Sequence, residues 1–365
     1  MDVEAETLAP VAEAPQSPLF SGARAEAPAN ALIAEARRRR ASHIHLEIGP
    51  GATVVRMRIA GQLTEPRHYH ADAALAAGFR DAAGASLLVH EGGERIVLRL
   101  DGGERRERAL EAIGMRREQV DALLPALRRG GLVLVAGPAG SGRSTSIATL
   151  LRHFAGSPRH IATIDTLPVE GATRIEGLAG AAAIRATLEQ DPDVIALDVL
   201  EGREAAGAAA EAAEAGHLVI AGIDAPDSVS AIRQMRDWRV EPFRLASNVA
   251  AVLAQRLVRR LCPDCRRPVQ AQGSVSALLG FDSGAIVFAP VGCESCEGTG
   301  FAGMTGVFEA IVADGAIRRL INDGGDEAIL ARHAFLRAPN LGSAARALVR
   351  EGMTTPDEAV RISRG

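Results

Sequence analysis

Residues Gly137-Pro138-Ala139-Gly140-Ser141-Gly142-Arg143-Ser144 carry the spacing of a phosphate-binding loop, G-x-x-x-x-G-K-[ST], with arginine where the pattern has lysine. In such a loop backbone N–H groups at the start of a helix surround a phosphate, and the helix dipole favours its charge. The lysine of the pattern reaches the β- and γ-phosphates as a compact charge. Arg143 keeps the charge but is planar, forked and bulkier, so the exchange is not conservative. Ser144 offers a hydroxyl to Mg²⁺, and Thr145 follows it into the helix. The expected ligand of Gly137 to Thr145 is therefore ATP with Mg²⁺. Two outcomes stay open: a working nucleotide hydrolase, or a descendant that kept the shape and lost the chemistry. All 41 basic residues are arginine, so Arg143 also fits a chain-wide drift away from lysine.

The only four cysteines form two C-x-x-C pairs, Cys262/Cys265 and Cys293/Cys296, with residues 266–292 between them. Two such knuckles match a tetrahedral Zn²⁺ held by four thiolates, a closed set with no open position for catalysis. Structural zinc is the expectation; free or redox thiols are the alternative. Gly292, Gly298, Gly300 and Gly303 permit tight turns around the metal.

Elements must position these groups. Gly131–Ala136 is an apolar run of strand length leading into the loop, and the residues from Ser144 open a helix. Three more apolar runs, 160–165, 193–199 and 217–223, alternate with helical stretches, which predicts a parallel sheet covered by helices on both faces. Upstream, short β-like runs at 43–48, 53–59 and 95–100 predict a small α/β domain. Residues 1–30, rich in Pro, Ala and Glu, read as a disordered tail. Residues beyond about 236 read as mostly helical, interrupted by the cysteine insert. The expected division is a tail 1–30, a small α/β domain 31–103, and a P-loop domain 104–365 that includes the cysteine element 262–296.

Composition excludes some classes. The net charge of −4 argues against a nucleic-acid partner, and no apolar run is long enough to span a bilayer. The run Arg37–Arg40 reads as a solvated helix face. His217 reads as a packing residue, His43 and His45 as half-exposed sheet residues, and Trp238 as a helix-junction residue.

Further motifs make the chain resemble the ATPases that power type II secretion and type IV pilus assembly. Ala41-Ser-His-Ile-His-Leu-Glu47 is similar to A-S-D-I-H-I-E, and Val55-Arg-Met-Arg-Ile-Ala-Gly61 to V-R-Y-R-I-D-G. Gln190-Asp-Pro-Asp-Val-Ile195, Gly216-His-Leu-Val219, Ala254-Gln-Arg-Leu-Val-Arg-Arg-Leu-Cys-Pro263 and Gly298-Thr-Gly-Phe-Ala-Gly-Met-Thr-Gly-Val-Phe-Glu309 follow family patterns in order. The resemblance implies a RecA-like core and a hexameric ring of like or homologous subunits. It also implies contact with an inner-membrane platform, hence a cytoplasmic protein that reaches the membrane only through partners. It further implies that Arg56 and Arg58 reach the nucleotide.

The same comparison marks departures. The family's G-E-I-R-D, whose glutamate handles the attacking water and Mg²⁺, is Asp198-Val-Leu-Glu-Gly202 here. Its T-I-E-D-P-V-E is Thr163-Ile-Asp-Thr-Leu-Pro-Val-Glu170, and its S-T-L-H-T-N-D is Ala221-Gly-Ile-Asp-Ala-Pro-Asp227, with Asp224 in place of histidine. A P-Q-D-G-R section is missing between about residues 70 and 91. Asp198, Asp165 and Glu170 are the remaining candidate catalytic acids. Phosphoryl transfer depends on positioning and charge, so these changes together predict impaired hydrolysis.

Overall fold

The computed structural model describes residues 28–49, 52–59, 61–70, 73–80, 85–90, 93–100, 109–154, 157–164, 169, 171–282 and 284–363. They fall into two compact units divided between residues 103 and 104.

The first unit is an antiparallel sheet of β1 (Ala41–Ile48), β2 (Ala52–Ile59), β3 (Gln62–Leu63), β4 (Arg67–His70), β5 (Ala85–His90) and β6 (Gly93–Arg99). Its strand order is β3-β2-β1-β6-β5, with β4 also paired to β2. Alternation sends Ile44, Leu46, Val55, Met57, Ile96 and Leu98 into one core. Helices Pro28–Arg38 and Ala73–Arg80 contribute Ala29, Leu32, Leu75 and Phe79 to it. The first helix starts at Pro28 rather than after residue 30. Proline suits a first helical turn, and Ala29 is fully buried. The rest of the expected tail lies outside the described residues. Arg37 and Arg38 end this helix, and Arg39 pairs with Glu35.

The second unit is built on β7 (Gly131–Ala136), β8 (Ile161–Ile164), β9 (Thr173–Ile175), β10 (Val194–Leu197), β11 (Leu218–Ile223) and β12 (Val249–Leu261), all parallel. A small hairpin of β13 (Arg267–Gln270) and β14 (Ile286–Ala289) follows. The antiparallel strand β15 (Phe301–Val312) completes the order β15-β12-β7-β11-β10-β8-β9. Along β7, Leu132 and Leu134 enter one core while Val133 and Val135 enter the other, so the sheet is covered on both faces. Helices Arg117–Arg129 and Arg143–Arg152 cover one face; Gly180–Leu188, Arg203–Glu214 and Ser228–Asp237 cover the other.

The segment beyond residue 236 holds more helix than strand, as read, but the reading missed its two long strands. Its longest elements are strands β12 and β15. The first half of β12 is buried on both faces, so it shows no alternation, and its Ala, Leu and Arg content favours helix in isolation. Four helices follow: Gly315–Asn322, Glu327–Ala334, Leu341–Arg350 and Pro356–Ser363. Trp238 caps the C-terminus of Ser228–Asp237 and packs against the core.

Candidate functional site

The loop turns because glycine stands where other residues cannot. Gly140 and Gly142 have φ of 78° and 89°, in the left-handed region. Gly142 caps the helix Arg143–Arg152, whose first intrahelical bond is Ser146 N to Gly142 O. The N–H groups before that bond are the orphan donors of a helix N-terminus, directed toward an incoming anion. A side chain at Gly137 would collide with Ser141 Oγ at 2.3 Å and Gln255 O at 2.8 Å. Pro138, Ala139, Gly140 and Thr145 are exposed, Ser144 is half-buried and Ser141 is buried. Arg143 Nη1 donates to Gly137 O at 2.7 Å, so one arm of the arginine closes on the loop's own backbone.

Gln255 on β12 supports the loop from behind. Its Nε2 donates to Ser141 O at 2.8 Å. Among the described residues, Gln255 Oε1 and Ser141 Oγ are buried without a hydrogen-bond partner. Such orphaned atoms fit a loop built around a polar ligand.

The parallel register brings the other motifs to the same edge. Ala136 is level with Ile223 and Ala254, and Leu197 with Ala221 and Ile164. Chain segments leaving β7, β11, β10 and β8 therefore share the C-terminal edge of the sheet, where α/β folds bind ligands. Gly137 N donates to Ile223 O, the residue before Asp224. Asp198 begins the turn after β10, half-buried, and none of the described residues donates to its carboxylate. Its backbone runs against Gly222, where an added Cβ would lie 2.1 Å from Asp198 O. Leu200 N donates to Gly222 O and the Leu200 side chain is buried, whereas Val199 is 49% exposed. The chain thus dips at Leu200 and presents residue 199 outward. Asp165 and Glu170 lie outside the described residues. Arg56 and Arg58 lie on β2 of the first unit, opposite His45 and His43. Arg58 Nη1 donates to Gly61 O at 2.9 Å. The His43 and His45 ring centroids are 6.0 Å apart, and burial, followed by repulsion from Arg58, lowers the His45 pKa.

Two residues whose roles the sequence did not assign organise this edge. Arg256 Nη2 donates to Pro226 O at 2.6 Å and Nη1 to Gln255 O at 3.0 Å. Burial lowers its pKa, and Asp227, Glu309 and Asp224 act in the opposite sense. Glu309 on β15 is 2% exposed. Its Oε1 accepts from Ser228 N (2.8 Å) and Ser228 Oγ (2.7 Å), and its Oε2 from Leu341 N (2.8 Å). One carboxylate therefore serves the N-termini of two helices. Burial nevertheless holds its pKa above the usual range. Both residues stand in motifs read above, but their partners are distant in sequence. His217 precedes β11 at the opposite edge, its Nδ1 2.6 Å from Pro192 O, which fits a packing role.

Beyond Gln255, β12 continues with β15 as a two-stranded ribbon past Ala136, and the cysteines close its tip. Cys262 follows β12 directly, and Cys296 precedes β15. The four Sγ atoms lie within 4.8 Å of one another. Cys262–Cys293 is 3.9 Å, Cys265–Cys296 3.8 Å and Cys293–Cys296 3.8 Å. A Zn–S bond of about 2.3 Å gives a tetrahedral edge of about 3.8 Å, so the donor set fits zinc. The N–H groups of Cys293 and Gly300 point at Cys296 Sγ from 3.2 and 3.1 Å. Burial raises this thiol's pKa, but these donors and the neighbouring sulfurs outweigh it and hold the thiol at about 6.

Comparison with known proteins agrees. The family described as type II/IV secretion system protein matches residues 84–361. Type II secretion system protein E of Pseudomonas aeruginosa is 34% identical over 375 residues, covering 92% of this chain and 74% of that protein. Type IV pilus assembly ATPase PilB of Acinetobacter baylyi is 32% identical over 287 residues, covering 74% of this chain and 49% of that one. In fold, the ATPase DotB of Legionella pneumophila superposes with a TM-score of 0.67 at 16% identity, covering 95% and 98% of the two chains. The pilus retraction motor PilT with bound ADP gives 0.64 at 21%, covering 92% and 96%. Loop, sheet order, cysteine knuckle and relatives converge: this chain belongs to the type II/IV secretion system protein family, within its secretion and pilus-assembly ATPases.

Proposed function

We propose that this chain is a nucleotide-holding subunit of a type II secretion or type IV pilus-like system whose own hydrolysis is impaired. It would act by assembling with like or homologous subunits in a hexameric ring beneath an inner-membrane platform, in the cytoplasm. Among the described residues no helix is long and apolar enough to cross a membrane, which accords with membrane contact through partners.

The observation that carries this reading is Val199. It stands where an acid would handle water and Mg²⁺, and the buried Leu200 beside it supports that alignment. Valine neither accepts a proton nor binds a metal. Losing one group that positions charge in a transition state costs about 10²–10³ in rate. ATP would be held by the loop N–H groups, Arg143 and Ser144, with Mg²⁺ at the Ser144 hydroxyl; Zn²⁺ would be held by Cys262, Cys265, Cys293 and Cys296.

A second reading, an active ATPase motor driving pilin-like assembly, is favoured by Asp198, a half-buried carboxylate at the loop edge with no donor among the described residues. Single-turnover hydrolysis separates the two, with zinc-loaded protein in excess over labelled Mg²⁺–ATP. The proposal expects ATP to be bound and recovered intact. Phosphate release that disappears in Asp198→Asn establishes the motor instead.

A further inference from the structure

The strands that run to the phosphate-binding loop begin at a different charged site. A cavity of about 300 Å³ opens beside the starts of β7, β10 and β11, lined among others by Arg128, Arg129, Arg159, Asp191, Asp193 and His217. The length of β7, Gly131–Ala136, separates it from the loop, a rise of about 20 Å, so it is no part of the nucleotide site. Arg128 and Arg129 end the helix Arg117–Arg129, where a cation suits the helix dipole. Arg159 enters from another segment, ahead of β8. Its guanidinium stacks over the Phe154 ring at 5.0 Å, and its Nη2 donates to Arg128 O at 3.3 Å. Arg129 also acts on Arg318, whose pKa is lowered by burial and then by this like charge. Among the described residues none of Arg128, Arg129 and Arg159 stands in an ion pair. The two acids are placed otherwise: Asp193 Oδ2 accepts from His160 N at 2.7 Å, and Asp191 is exposed. His217 Nδ1 is bonded to Pro192 O, which leaves Nε2 to a ligand. A larger groove beside Gly324 and Gly325 differs, because there Arg233 already meets Glu327 and Asp237.

We propose that this cavity binds a small phosphate monoester of about the size of a sugar phosphate. Guanidinium forks match phosphate oxygens in geometry as well as in charge. Near neutral pH a phosphate monoester carries about −1.5 to −2 charge on its terminal oxygens, enough to engage Arg128, Arg129 and Arg159 together. A carboxylate, with a single charge, leaves part of that cluster unanswered. The lining is mostly polar, which argues against an apolar ligand. Hydroxyl groups on the ester supply donors to Asp191 and Asp193, whereas inorganic phosphate leaves both acids facing an anion. The site uses no residue of the loop, so it stands or falls apart from the nucleotide reading.

The test is calorimetric titration of the full, zinc-loaded chain with ribose phosphate, with free ribose and inorganic phosphate in parallel. Ribose phosphate is expected to bind, free ribose not to bind, and inorganic phosphate to bind severalfold more weakly. Arg129→Gln, at an exposed position, should raise the Kd for ribose phosphate about tenfold, the effect of losing one charge-assisted contact. Arg159→Lys keeps the charge but loses the fork, and should raise it severalfold. Arg236→Gln, in the larger groove, and saturating Mg²⁺–ADP should leave it unchanged. Displacement of ribose phosphate by Mg²⁺–ADP assigns the binding to the loop and overturns the site. A loss with Arg236→Gln equal to that with Arg129→Gln also overturns it, since general attraction to an arginine-rich surface then accounts for the binding. Equal affinity for inorganic phosphate overturns the monoester, and no binding at millimolar ribose phosphate overturns the proposal outright.

Discussion

One strand, β12, serves two sites of opposite character. At Gln255 it backs the phosphate-binding loop; at its far end it delivers Cys262 to the cysteine knuckle. The knuckle is complete, with four sulfurs at tetrahedral spacing and backbone N–H groups directed at Cys296. The loop edge keeps the glycine turn and helix N-terminus but carries Val199 and Asp224 where the family patterns have glutamate and histidine. A structural metal site fails when any ligand is lost, because its binding energy is folding energy. Val199 and Asp224 at the loop edge are exposed, so the residue types at these positions do not decide whether the chain folds. The contrast teaches that a site whose ligands are also fold elements tolerates no change, whereas exposed positions at a loop edge can change without cost to the fold.

The comparison breaks first at the knuckle if zinc is not structural. Cys296→Ser, or chelation of the wild-type protein, is expected to cost several kcal/mol and to lower Tm by about 10 °C or more. Metal analysis should give one zinc per chain in the wild type. A melt unchanged by chelator, with no zinc recovered, assigns these cysteines to free or redox thiols.

The loop edge has its own rigid part. An alanine Cβ at Gly222 would lie 2.1 Å from Asp198 O, backbone against a packed strand, with Ile147 at 3.3 Å behind it. Gly222→Ala is expected to destabilise by about 3 kcal/mol, read as a shift in urea midpoint. A neutral substitution there would mean that the turn after β10 is looser than its bond from Leu200 N to Gly222 O indicates.

The side chains of that edge test the proposed impairment. Val199→Glu with Arg143→Lys is expected to raise the single-turnover rate about a hundredfold, close to 2.7 kcal/mol of barrier. Stability should change little, because Val199 is half exposed and, among the described residues, Arg143 bonds to one carbonyl, that of Gly137. A double variant that binds ATP yet stays inert places the defect in the two remaining departures, Asp224 and the box that contains Asp165 and Glu170.

Sequence made the two sites legible to different depths. The glycine loop and the cysteine pairs are local patterns, and each was readable because its partners lie within a few residues or repeat a known spacing. The strands β7, β8, β10 and β11 were readable as short apolar runs bounded by turns. The strand β12 was not, because burial on both faces erases the alternation that marks a strand. Glu309 escaped because its partners, Ser228 and Leu341, come from separate helices. Arg256 escaped likewise, its role being fixed by Pro226 across the sheet edge.

Glu309 also gives the subtlest way to sharpen the comparison, because a second buried carboxylate near the knuckle titrates in the opposite sense. Glu358 accepts from Arg259 Nε at 2.8 Å and from Arg361 Nη2 at 2.9 Å. Burial raises its pKa, but these two guanidinium groups outweigh burial and hold it below the usual value. Its contribution to stability is present above the unfolded pKa, near 4.5, and disappears as pH falls through the lower folded value. Glu309 faces N–H and O–H donors without a bonded cation, and burial dominates. Its folded pKa is raised, so its contribution is full below about 4.5 and disappears as pH rises through the folded value. Urea midpoints measured from acid to neutral pH should show both slopes. Glu358→Gln removes the acid-side loss. Glu309→Gln costs about 1–2 kcal/mol, because its amide nitrogen cannot accept from Leu341 N. The deficit narrows as pH rises, since only the wild type then loses stability. A Glu309→Gln profile parallel to the wild type at every pH would show that the donors at the two helix N-termini offset the burial penalty on the carboxylate. The loop edge would then match the knuckle in having its buried charge fully compensated.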